Sequence, residues 1–158
     1  MTASPFTIKN LLVTGLAGQI AFEAYAWLVS PMLFGVALQP TNLVLALAQV
    51  TLGLKLPYWL GFVLHFAIGA IGFTALVVLT HRVSRASLIV SGVAVGLGLW
   101  FVAQGLLAQV VGRSFMMGFG SYTQSSFVAH VGMTTLMAFF LLKLGTARRQ
   151  SANGKPAL

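Results

Sequence analysis

The chain has 158 residues, 58% of them hydrophobic and 6% charged, with a mean hydropathy of +0.95. A soluble domain carries about 25% charged residues, so this chain could not clothe a water-facing surface and reads as an integral membrane protein of one domain. The formal charge of +8 does not point to nucleic acid, because the basic residues stand at the ends of apolar segments, as topology determinants do; the lack of cysteine excludes disulfides, haem thioethers and thiolate metal sites.

The predicted elements follow in order. After a short polar lead containing Lys9, the first span covers about 11–34, with Pro31 expected to kink or end it. The run is long and lacks a small-residue cleavage site, so it is read as a span and not as a cleaved leader. Residues 41–52 are too few to cross and are predicted as a short helix, capped by Thr41 and Asn42, that lies along the interface or dips into it. Pro57-Tyr58-Trp59 opens the second span, about 57–79, because proline suits a first helical turn and Tyr and Trp favour the headgroup level. His81, Arg82, Ser84 and Arg85 read as a basic loop. The third span covers about 87–111, Gly112–Ser125 a connection, and the fourth span about 126–144. The membrane domain is therefore 1–144, and 145–158 reads as a flexible basic cytoplasmic tail.

The fold expected is an all-α, four-helix transmembrane bundle. Lys9, Arg82, Arg85, Lys143, Arg148, Arg149 and Lys155 fall on one side of it, and only Lys55 and Arg113 on the other. That asymmetry predicts both termini in the cytoplasm. Phe62-Val63-Leu64-His65 and Phe127-Val128-Ala129-His130 are alike, and Gly15 and Gly92 open similar spans, so the bundle could be a duplicated helix pair.

Each span carries one face of small and polar residues at helical spacing: Gly15, Gln19, Glu23 and Trp27 in the first, Gly61, His65 and Gly69 in the second, Gly92, Gly96, Trp100 and Gln104 in the third, Ser126, His130 and Thr134 in the fourth. Close helix packing in lipid accounts for the glycines. Glu23, His65 and His130 need more, because an ionisable group in hydrocarbon is expensive unless paired. Glu23 is the only acidic residue in the chain. Glu23 and His65 each lie eight residues from a proline, roughly 12 Å along a helix, and His130 falls at a similar depth.

Three chemistries are open to that set. Glu23, His65 and His130 could ligate a transition metal; His65 and His130 could ligate a b-type haem; or the cluster could hold and relay a proton or bind a cationic solute. Gln19, Gln104 and Met133 are candidate outer hydrogen bonders or soft neighbours. The plain alternative is a buried hydrogen-bonded triad with no cofactor. No phosphate loop, paired carboxylates or nucleophile elbow is present, so binding or transport suits the chain better than covalent catalysis.

Ala21-Phe22-Glu23-Ala24, the stretch Trp59-Leu60-Gly61-Phe62-Val63-Leu64-His65-Phe66-Ala67-Ile68-Gly69, and Phe127-Val128-Ala129-His130-Val131-Gly132 together resemble small uncharacterised YagU-like bacterial inner-membrane proteins. The resemblance implies a four-helix membrane fold and no established activity. The leading expectation is thus a small binding or transport-related protein with an intramembrane Glu/His/His site. An accessory or scaffold subunit, as a homo-oligomer or within a larger membrane complex, is the competing class, and a haem protein the third.

Overall fold

The computed structural model describes residues 6–152 and Gly154, with the side chains of 148–152 left aside. It is 85% helical and, among the described residues, without strands. Four helices are long and apolar enough to cross a bilayer, and a shorter one follows the first. Helix α1 spans Ile8–Phe34, α2 Pro40–Leu52, α3 Tyr58–Ser84, α4 Leu88–Val110 and α5 Ser121–Ala152.

Local chemistry sets these limits. The Thr7 hydroxyl accepts from Asn10 N at 3.3 Å and the Ser87 hydroxyl from Val90 N at 3.2 Å, which caps α1 and α4. Pro40 occupies the first turn of α2 behind Gln39, where its missing N–H costs nothing. The cap is therefore Gln39–Pro40 and not Thr41 or Asn42; Asn42 Nδ2 donates instead to Gln39 Oε1 at 2.6 Å. Gly35 and Gly53 end α1 and α2 in the left-handed region, at φ 67° and 68°.

Three spans widen into a π-helical turn: Tyr25–Val29 in α1, Ile68–Phe73 in α3 and Val102–Leu107 in α4. In α1 the widened turn stands just before Pro31, so the helix absorbs the proline and runs on to Phe34 without ending there.

The spans differ from their expected limits at three places. His81 and Arg82 belong to the last turn of α3, which runs to Ser84; His81 Nδ1 lies 2.7 Å from Ala86 O and its ring stacks near Phe6. Helix α5 begins at Ser121, inside the expected connection. It continues past 144 to Ala152, so the first part of the expected flexible tail is helical; Asn153 and 155–158, Lys155 among them, lie outside the described residues.

Glycine governs how closely the spans meet. A methyl group on Gly15 would collide with Ala70 O of α3; on Gly92 it would stand 2.7 Å from Thr134 O, and on Gly96 2.6 Å from Val131 Cα, both of α5. The first span thus packs on the second, and the third on the fourth. Phe22, Ala26, Leu38, Ala129, Met133 and Met137 form one apolar core, and Val77, Val78, Leu88, Val95, Ala138 and Leu141 another nearer the ends of the chain. The outer surface is also apolar, with Ile20, Leu28, Leu33, Trp59 and Ile71 exposed. A bundle with apolar faces both inside and out is suited to lipid and not to water.

Candidate functional site

The polar groups of the bundle form two hydrogen-bonded chains. The first joins α1 to α3. Gln19 and Glu23 are one turn apart on α1, and Gln19 is fully buried because Gly69 of α3 leaves room for its amide. Gln19 Nε2 donates to Glu23 Oε1 at 2.9 Å and lies 3.2 Å from His65 Nε2. Glu23 Oε1 and His65 Nε2 are themselves 3.2 Å apart, with only 14% and 11% of their side chains exposed. The second carboxylate oxygen, Oε2, accepts from Trp27 Nε1 at 3.2 Å.

A carboxylate oxygen and an imidazole nitrogen at that separation share one proton. It rests on His65 facing a carboxylate, or on Glu23 facing a neutral imidazole. Gln19, Trp27 and His65 replace the water that a carboxylate would otherwise demand, which is how the only acid in the chain is accommodated within a span.

The second chain joins α4 to α5. Gln104, in the π-helical turn of α4, donates from Nε2 to Ser126 Oγ at 3.0 Å. Ser126 Oγ lies 3.2 Å from His130 Nδ1, which also donates to Ser126 O at 2.8 Å. With Nδ1 committed as donor to a carbonyl, the neutral His130 ring presents Nε2 as an acceptor. Gln104 Oε1 and Gln19 Oε1 are buried without a hydrogen-bond partner among the described residues.

Both chains reach one cavity of about 190 Å³, and the walls carry His65 from the first and Gln104, Ser126 and His130 from the second. Phe22 stands where the chains meet, its ring 5.6 Å from that of His65 and 5.9 Å from that of His130. Leu43, Val44 and Leu47 of α2 line the cavity as well, so this short helix forms one wall of the site. Arg113 and Tyr122 complete the wall near the α4–α5 connection.

Of the expected triad, then, Glu23 and His65 meet and His130 belongs to a separate chain. Among the described residues no group of three or more His, Cys, Asp or Glu side chains is arranged to hold a metal ion. Glu23, His65 and His130 do not form such a group, and the apolar ring of Phe22 lies beside both imidazoles. A haem ligated by both histidines would have to displace that same buried ring, which is 3% exposed.

Gln19 hydrogen-bonds Glu23 and lies beside His65, whereas Gln104 reaches His130 through Ser126. Met133 is a core residue packed with Phe22 and Met137, and it bonds to none of the polar groups described above. Sequence reasoning gave α2 no place at the site and read Arg113 as a charge snorkelling to the interface or, alternatively, attracting an anion to the outer mouth. The signal for α2 was present in Leu43, Val44 and Leu47, whose spacing puts them on one helical face.

The chain matches no family model, no curated protein and no solved structure.

Proposed function

We propose that this protein is a small multi-pass membrane protein of the bacterial inner membrane, whose bundle binds a small, largely apolar ligand and exchanges a proton with its surroundings as it does so. The position of His65 supports this most directly. One edge of its ring meets Glu23 and Gln19, and the same residue forms part of the cavity wall. Charge brought into or out of the cavity would change how many protons the Glu23–His65 pair holds, since interactions in a low-dielectric interior are weakly screened. His130, Arg113 and Tyr122 are the other ionisable groups on that wall.

The distribution of Lys and Arg supports cytoplasmic termini, which would set the cavity toward the outer face, beneath α2 and the α4–α5 connection. The YagU-like resemblance agrees with this layout and adds no activity to it. An accessory-subunit role draws on Gly98 and Gly132, around which there is open space for a partner helix, but it leaves Glu23 and His65 without a task.

The test is a cavity-filling variant. Ala103 lines the cavity on α4, and Ala103→Phe would put a ring into it. Titration of benzyl alcohol into protein in phosphatidylcholine nanodiscs, followed by calorimetry, should give saturable binding that Ala103→Phe abolishes. Equal heats from both proteins would count against a ligand cavity.

A further inference from the structure

We propose that the cavity takes an amphipathic anion: a carboxylate- or phosphate-like head held by Arg113, on an apolar body that lies against His65, Phe22 and the roof of α2. This deepens the ligand-binding reading above and rests on it.

Arg113 carries the inference. It is half-buried on the cavity wall, and among the described residues its guanidinium has no hydrogen-bond or ion-pair partner. The only carboxylate side chain in the sequence is Glu23, already engaged by His65, Gln19 and Trp27. The protein therefore offers Arg113 no acidic side chain of its own. A guanidinium stays charged at any working pH, and its forked N–H groups match a carboxylate or phosphate two at a time.

Its placement is built. Gly112 turns the chain at φ 79°, and Arg113 N then donates to Ala108 O at 2.9 Å. Met116, Met117 and Phe119 follow with positive φ, a strained conformation for a side-chain-bearing residue. Thr123 Oγ1 holds that stretch through Met116 O at 2.5 Å.

Gln104 is a second, independent sign of a ligand. It lies on the cavity wall, is 6% exposed, and its Oε1 lacks a donor that a ligand hydroxyl or N–H would supply. Size narrows the class further. An apolar cavity of about 150 Å³ accommodates benzene, so one of about 190 Å³ suits a body of one ring or a short chain.

Benzoate, benzyl alcohol and benzylamine share that body and differ in charge. In phosphatidylcholine nanodiscs, benzoate should bind at least about tenfold more tightly than benzyl alcohol, and benzylamine most weakly. Arg113→Gln should erase the preference for benzoate while keeping benzyl alcohol binding, which also certifies an intact cavity; Arg113→Lys should retain part of it. Equal affinity for benzoate and benzyl alcohol, or an unchanged preference in Arg113→Gln, would overturn the inference and leave the cavity reading standing. If none of the three binds, the cavity reading itself falls and takes the inference with it.

Nanodiscs containing phosphatidylglycerol separate the two sources of such an anion. Competition with benzoate that depends on Arg113 identifies a bilayer phospholipid, and its absence a soluble anion. Both results keep the anionic head on Arg113.

Discussion

Glu23 Oε1 and His65 Nε2 stand 3.2 Å apart across the contact between α1 and α3, with Gln19 Nε2 within 3.2 Å of each. Three polar side chains thus satisfy one another in a setting where none could be left alone. Their mutual dependence sets the first expectation. Glu23→Ala leaves His65, Gln19 and Trp27 without their acceptor and should destabilise the bundle by about 1–3 kcal/mol, as an unmet buried donor does. Glu23→Gln keeps an acceptor and should cost less. Loss of helical ellipticity in mixed micelles of rising sodium dodecyl sulfate content measures both; an alanine variant as stable as the parent would refute the pairing.

Gly69 makes room for Gln19. A methyl group there would run into the Gln19 amide oxygen, so Gly69→Ala should cost about 1–3 kcal/mol through overpacking and should disturb the Glu23–His65 contact. The double variant Gly69→Ala with Gln19→Ala should recover most of the packing loss. Failure of the second substitution to compensate in the same unfolding assay would show that the strain lies elsewhere.

Gly96 and Gly98 are two residues apart on α4 but face different surroundings. A Cβ on Gly96 would meet Val131 Cα of α5 at 2.6 Å, whereas one on Gly98 meets nothing within 4 Å. Gly96→Leu should therefore separate α4 from α5 and reduce stability severely. Gly98→Leu should fold as the parent does and melt at the same temperature in detergent. Similar melting temperatures for the two variants would contradict the helix packing described.

Helix α2 should be lockable over the cavity. On Gly61 of α3 a Cβ would lie 2.9 Å from Leu45 Cγ, which places Cβ atoms at positions 45 and 61 near the separation of roughly 3.5–4.5 Å that a disulfide needs. Because the chain has no cysteine, Leu45→Cys with Gly61→Cys gives a background free of competing thiols. The pair should oxidise readily, and benzoate should enter the oxidised protein more slowly than the reduced one. Unchanged entry would mean that α2 does not cover the way in.

The four spans were legible because hydropathy over twenty or so residues reports directly on burial in lipid. Glu23 and His65 were legible for a related reason: a lone acid in an apolar run demands a partner, and only two histidines lay at its depth. What the sequence could not convey was which histidine. That choice depends on rotation of α3 and α5 about their own axes, set by contacts such as Gly69 with Gln19 and Gly96 with Val131, and on the π-helical turns that shift the helical register. Arg113 was legible as a charge at the end of a span, either an interfacial anchor or an attractor of anions at the outer mouth, but the cavity beside it was not.

The most direct test of a proton-linked ligand site is the number of protons taken up when benzoate binds. A pH-indicating dye in weakly buffered nanodisc samples near neutral pH reads it. A negative charge entering the cavity favours a second proton on the Glu23–His65 pair, leaving a neutral carboxyl beside an imidazolium, so the parent protein should take up protons as benzoate saturates, and His65→Gln should bind benzoate with that uptake lost. Benzoate binding without proton uptake in the parent, or undiminished uptake in His65→Gln, would contradict the link between the cavity and the Glu23–His65 pair.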